Sequence, residues 1–410
     1  MNVLWVVGVL LVTGFGLVTW RIPLVRRLDL AGGVAIAFAS GCVALAVLMF
    51  VFSLVHVPFT RATLLIALAV FVCGVRRPCR RSDGKSGGMA AALQIIFLLM
   101  AYGLLTARET CGDLIFFWGP KAQAFYLAEK IDVAFLSFPH YSLMHPDYPP
   151  LLPLVYAFAS SVAHGFSWWG AVFATLILLA ATVFAFRALA RDALGDERAA
   201  AYAVLLAAIL AYGYARSMVA GAAEPMLLLF ETIAVAALTF HDDGELVAAI
   251  ALAGAAWTKI EGAAFVAIVV VAYLLTRRRV ARAAAMALPS IVLTGAWILF
   301  AIKYKFIDQY ARAGERLHFA SLGTAVWAMS IKADYGALYL PWLGGAVPFA
   351  FARNWRRAAL PLLVFAGLIV VAVYFYLHGD APVWWIKASA ERVLLSSLMT
   401  LLVAAAAASE

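Results

Sequence analysis

The sequence predicts an all-α polytopic membrane protein of about thirteen transmembrane helices, with interfacial helices in the first large outside loop. Three observations predict it. Of 410 residues, 66% are hydrophobic and only 13% charged, whereas an ordinary soluble chain is roughly 45–50% apolar and about 25% charged. Mean hydropathy is +0.96. The apolar residues fall in continuous runs rather than in the alternating pattern of a membrane barrel, so the spans are helices. This balance excludes a soluble enzyme, which would lack the polar surface to cover such a core, and it excludes a disordered chain. Four cysteines are too few for a secreted disulfide framework in so long a chain.

Apolar runs of helical length occupy residues 3–19, 30–52, 63–75, 89–107, 168–189, 199–215, 222–240, 246–257, 262–276, 283–302, 335–352, 358–377 and 388–408. Several are shorter than the roughly 20 residues of a full span, so their boundaries are soft. The first run has no basic leader and no small-residue cleavage site, and so reads as a span rather than a signal peptide. Arg21, Arg26 and Arg27 follow the first run; Arg76, Arg77, Arg80, Arg81 and Lys85 the third; Arg187 and Arg191 the fifth. Arg277, Arg278, Arg279 and Arg282 follow the ninth, and Arg353, Arg356 and Arg357 the eleventh. Cytoplasmic loops carry the excess of Lys and Arg, so these loops share the cytoplasmic side, with the N-terminus outside and the C-terminus inside. The net charge of +9 is then a topology signal. It does not predict nucleic-acid binding, because the basic residues are spread over five loops instead of forming one patch.

The run 151–164 opens with Pro149, Pro150 and Pro153 and is short. Counted as a span it would place Arg187 and Arg191 outside, so it is expected to be interfacial or re-entrant. Residues 1–88 form three N-terminal helices and a basic cytoplasmic loop; residues 89–410 form the module expected to carry the chemistry, with the outside loop 108–150.

That loop is rich in aromatics and holds Asp113, Lys121, Glu129, Lys130, Asp132, His140, His145 and Asp147. Residues 114–130 place apolar residues along one side with Lys121 and Gln123 interspersed, which suits a helix lying in the membrane interface. Asp113 either caps that helix or does chemistry. Glu224, followed by Pro225, opens the seventh run, where a carboxylate also suits a helix start. Lys259 and Glu261 meet in the short hairpin AWTKIEGAA; ionisable groups so placed are costly near hydrocarbon and point to function, the bland alternative being that they pair with each other. Lys387, Glu391 and Arg392 bring charge into the last run. The first two are one helical turn apart and suit a pair, whereas the Arg392 guanidinium either binds phosphate bidentately or snorkels.

These residues resemble the GT-C superfamily of membrane glycosyltransferases, which includes protein O-mannosyltransferases, aminoarabinose transferases, the bacterial family 39 enzymes and lipopolysaccharide-core galacturonosyltransferases. Asp113 in CGDLIFFWGPKA, HPDYPPLLPL from His145 to Leu154, Lys259 in WTKIEG, Glu224 in AAEP, and SAERVLLSSLMTLL with Arg392 carry the likeness, over roughly residues 89–408. The chain departs from the family in inserting Asp147 and Tyr148 within the His-Pro motif, and it has neither a large soluble C-terminal domain nor an acidic pair after the first span. The last departure leaves a metal requirement open.

The resemblance implies a sugar carried on polyprenyl phosphate, with no nucleotide site and no cofactor. No Rossmann glycine fingerprint is present, and CRRSDGKS fails as a phosphate loop because Cys79 replaces its first glycine and no strand precedes it. Asp113 would be the general base on an acceptor hydroxyl of a glycan, lipid or protein, with inversion at the anomeric carbon. Lys259 and Arg392, with Lys121 and His145, would hold the leaving phosphate. Glu224 would position sugar or acceptor; Trp118, Asp147, Tyr148 and Glu261 would line the substrate. The expected setting is a bacterial inner membrane with the site facing the periplasm. The competing class is a transporter or flippase without chemistry, for which Lys259 and Glu261 would mark a pathway; no repeated halves of the transporter kind are visible.

Overall fold

The computed structural model describes residues 3–73, 93–98, 102, 111–216, 220–306, 319, 322–323, 349, 352–377 and 382–410. The expected run 335–352 and the basic stretch 76–85 lie outside the described residues, apart from single positions, as do most of 89–107 and of the mixed-charge loop 303–318.

No strand occurs among the described residues. The main helices are α1 (Val3–Gly16), α2 (Leu30–Leu54), α3 (Arg61–Cys73), α4 (Gly119–Ala128), α5 (Leu151–Ala163), α6 (Trp168–Leu194) and α7 (Asp196–Arg216). They continue with α8 (Glu224–Phe240), α9 (Glu245–Thr258), α10 (Ile260–Arg277), α11 (Val280–Lys303), α12 (Trp355–Tyr376) and α13 (Pro382–Ala408). Among the described residues, six helices are long and apolar enough to cross a membrane: α1 with its following turn, α2, α6, α10, α11 and α12. The architecture is thus all-α with membrane-length helices, and the expected thirteen spans are not reached among the described residues.

The helix starts follow from local chemistry. Asp29 accepts from the Gly32 N–H at 2.8 Å to cap α2, Ser167 from Gly170 N–H at 3.0 Å to cap α6, and Asn354 from Arg357 N–H at 3.2 Å to cap α12. Each side-chain oxygen satisfies a backbone donor that the first turn leaves open. The α1–α2 crossing is close because glycines form it: a Cβ at Gly16 would stand 1.8 Å from the Ala37 carbonyl oxygen, and one at Gly41 2.1 Å from that of Val12. Small residues let helices approach where lipid supplies no hydrophobic drive between them.

One hydrophobic core runs from Trp5 to Ala407 and contains residues of α1 and α2 together with those of α5 to α13. Trp5 donates its indole N–H to Ser160 of α5 at 3.1 Å. Phe50 at the end of α2 meets Trp257 of α9 and Trp297 of α11 edge-on, with ring centroids 5.5 and 6.2 Å apart. All thirteen residues of α5 are buried, so this helix sits inside the bundle with no interfacial face, and it is too short to cross a membrane.

The described arginines that follow the first, fifth, ninth and eleventh apolar runs gather at one end. Arg187 pairs with Asp29 at 2.9 Å and Asp196 at 2.7 Å; Arg277 pairs with Asp242 at 2.9 Å, and Arg282 with Glu245 at 2.9 Å. Arg27 pairs with Asp243, and Arg357 with Glu410. These ties hold the ends of α6, α8, α9, α10, α11 and α12 level with one another at a basic end. Asp196, Asp242 and Asp243 remain solvent-exposed while taking part in these ion pairs.

Candidate active site

Of the residues singled out from the sequence, Asp113, Lys121, His145, Tyr148, Glu224, Lys259 and Glu261 come together at the end opposite these arginines. With 17 and 14 residues, α8 and α9 are about 25 and 21 Å long, against a hydrocarbon core of about 30 Å. Neighbouring α6 has 27 residues and is about 40 Å long. Glu224 and Lys259 stand at the ends of the short α8 and α9 away from the arginines, with largely buried side chains.

Lys259 is a single extended residue, φ −151° and ψ 163°, joining α9 to α10. The reversal is tight because residue 262 is glycine: a Cβ there would stand 1.9 Å from the Ala255 carbonyl oxygen. The Lys259 ammonium is 3.2 Å from Glu224 Oε1 and 3.2 Å from Glu261 Oε1. The side chains of Lys259 and Glu224 are 12% and 10% exposed, and that of Glu261 is 35% exposed. Burial disfavours the ammonium, but the Glu224 and Glu261 carboxylates, helped by Tyr148 and Asp113, outweigh it and hold the Lys259 pKa well above the ordinary lysine range. Both bland alternatives from the sequence are partly realised: Lys259 does pair with Glu261, and Glu224 does open a helix. What the hairpin alone does not give is that one ammonium bridges the two.

Asp113 lies in a helical turn just before a π-helical stretch, Leu114–Trp118, and its side chain makes no capping hydrogen bond to it. The π geometry recurs at functional sites. Leu114 anchors the segment against the loop before α8: Gly221 has φ +82°, and a Cβ there would lie 2.6 Å from the Leu114 side chain. The Gly221 N–H donates to Thr175 at 2.7 Å, and its carbonyl accepts from the Tyr156 hydroxyl at 3.2 Å. Asp113 is thereby brought within electrostatic reach of Lys259, and both Asp113 and Glu224 within reach of Cys111. Cys111 is buried; burial first, then these carboxylates, push its thiol up to about 12.

The His-Pro motif folds as a turn. The Tyr148 N–H donates to the His145 carbonyl at 3.0 Å, the closing bond of a β-turn with Pro146 at its second position. The inserted Asp147 and Tyr148 complete that turn. His145 takes a left-handed conformation, φ 48°, and its ring stacks on Tyr148 with centroids 4.5 Å apart. Lys121 is buried and donates its ammonium to the His145 carbonyl. The Lys121 Nζ also lies 5.2 Å from the Trp118 ring centroid and 5.9 Å from that of Tyr148, within cation–π range. The Asp147 carbonyl accepts from the Trp297 indole at 2.6 Å. Tyr148 is therefore shared between the Lys121 and Lys259 environments. Arg392 falls within α13, but its side chain lies outside the described residues, as do those of Lys387 and Glu391.

Sequence reasoning passed over Glu231. It lies two turns along α8 from Glu224, is 2% exposed, and hydrogen-bonds Ser396 of α13 within electrostatic reach of Glu261 and Lys259. Its Oε2 has no hydrogen-bond partner among the described residues. The signal was available: a lone Glu inside an apolar run, seven residues from another, shares its helix face. Among the described residues, no group of three or more His, Cys, Asp or Glu side chains is placed to hold a metal ion.

Chemically, the arrangement offers carboxylates able to accept a proton, a lysine held cationic, and aromatic faces against an apolar bundle. Comparison with protein-family models, with curated proteins and with solved structures found no match.

Proposed function

We propose that this chain is a membrane glycosyltransferase that moves a sugar from a polyprenyl-phosphate donor to an acceptor hydroxyl, with inversion. The observation that carries the reading is the convergence of Asp113, Tyr148, Glu224 and Glu261 on a largely buried Lys259 in an apolar bundle. A polyprenyl chain needs that apolar surround, and its phosphate needs a cation at the depth where the chain ends. Asp113 takes the proton of the acceptor hydroxyl as the oxygen attacks the anomeric carbon and the bond to phosphate breaks. Lys259 donates to Glu224 and is ion-paired with Glu261, and its charge would meet the charge developing on the leaving phosphate. Lys121 and His145 are assigned to donor binding, as is Arg392 by the resemblance alone, while Trp118, Asp147 and Tyr148 are assigned to the sugar. The clustering of arginines at the opposite end supports a site on the non-cytoplasmic side, which in a bacterial inner membrane is the periplasmic side.

The second reading, a transporter or flippase, draws on Glu231, a carboxyl buried mid-helix of the kind that marks ion paths. One experiment separates them. Protein reconstituted in nanodiscs is given a panel of polyprenyl-phosphate sugars, and free polyprenyl phosphate is measured. The transferase releases it, and Asp113→Asn protein that still binds donor does not. Absence of release across the panel, with sugar-lipid crossing the bilayer in vesicles, favours the transporter.

A further inference from the structure

At the basic end, far from Lys259, a cleft of about 880 Å³ opens between the α8–α9 turn, the α10–α11 turn and Arg27. Its charged lining comprises Arg27, Asp242, Asp243, Glu245, Arg279 and Arg282, and its apolar lining includes the exposed Leu246 and the buried Met286. With Asp242 counted, the lining charges balance, three arginines against three carboxylates: Arg27 pairs with Asp243, and Arg282 with Glu245 at 2.9 Å. Arg279 is held only loosely, 3.9 Å from Glu245. Apolar surface continues out of the cleft. Leu246 is 55% exposed, and Leu288 and Val292, which follow the cleft-lining Ala285 at helical spacing on α11, are 57% and 55% exposed.

We propose that this cleft binds a phospholipid whose headgroup is zwitterionic, carrying a phosphate beside a primary ammonium. Basic pockets between helix ends at a membrane surface take lipid headgroups. Here the carboxylates interleaved with the arginines make the rim neutral, so it complements a neutral headgroup with separated charges better than an anionic one. The phosphate faces Arg279 and Arg282, whose planar forks suit it. The ammonium faces Asp243, and the acyl chain follows Leu246, Leu288 and Val292. This proposal is independent of the transferase reading.

The test uses the full-length protein exchanged into nanodiscs holding equal parts phosphatidylethanolamine, phosphatidylcholine and phosphatidylglycerol. Native mass spectrometry counts the lipids that survive stepwise delipidation. The expected result is preferential retention of phosphatidylethanolamine, falling about threefold or more, the factor for losing well under one tenfold step in affinity, in Arg279→Gln/Arg282→Gln protein. Ala285→Trp, which fills the cleft without touching its charges, gives the same loss and stands in if the double variant does not fold. Equal retention of the three lipids, preference for phosphatidylglycerol or phosphatidylcholine, or unchanged retention in a folded variant overturns the proposal.

Discussion

Replacing Lys259 by Met tests the cluster at its centre. The ammonium is 3.2 Å from one carboxylate oxygen of Glu224 and of Glu261, with Lys259 and Glu224 about nine-tenths buried. Removing the cation leaves two carboxylates near each other, one of them largely buried. Breaking a buried pair by deleting one partner costs about 3–5 kcal/mol, because the remaining charge is uncompensated. Most of that cost is assigned to Glu224, since Glu261, at 35% exposure, is screened by solvent. The triple variant Lys259→Met/Glu224→Gln/Glu261→Gln removes both stranded charges and is expected to recover most of the loss, as neutral replacements of buried ion pairs do. Steric trapping of reversible unfolding in bicelles measures each free energy. Stability of Lys259→Met within about 0.5 kcal/mol of the parent, the level of an ordinary surface change, would refute the buried-pair reasoning. So would a triple variant no more stable than the single.

Further expectations follow from the same geometry. Asp113→Asn is expected to slow polyprenyl-phosphate release by roughly 10²–10⁴-fold with donor binding intact, the range for loss of a general base, as read by lipid extraction and counting. Gly262→Ala drives a methyl toward the Ala255 carbonyl, 1.9 Å from an ideal Cβ; α9 and α10 must part, and both melting temperature and the modification rate of Lys259 by an amine reagent are expected to change. For Glu231, Gln is expected to keep the Ser396 hydrogen bond and near-parent stability, whereas Ala leaves a void and an unpaired Ser396, costing about 2–4 kcal/mol by trapping. The raised Lys259 pKa also sets a pH dependence. Its stabilising share is fully present below the ordinary lysine value of 10.5 and is lost as pH rises through the higher folded value. Stability of the parent is therefore expected to fall at strongly alkaline pH more steeply than that of Lys259→Met, and parallel curves would exclude the effect.

Much of this protein is legible along the chain because a membrane-type interior imposes a one-dimensional rule: apolar runs become helices, since every backbone group must bond within its own segment. The runs at 30–52, 168–189 and 358–377 thus foretell α2, α6 and α12 nearly to their ends, and the spacing of arginines foretells that they share one end. The acidic and basic residues set apart in loop 108–150, in AAEP and in WTKIEG were visible for the same reason: charge in an apolar chain has few places to hide. What the sequence could not decide is who meets whom. Glu224 and Lys259 are 35 residues apart, and only the antiparallel packing of two short helices puts them in contact. Lys121 reads as an interfacial lysine along the chain, yet it is buried against Trp118 and Tyr148 because the His145 turn folds back over it. Glu231 disappears into an apolar run until α13 brings Ser396 to it. Periodicity records which face of a helix is apolar, but the partners on that face are fixed by the order and tilt in which helices pack, and that information is spread over the whole chain.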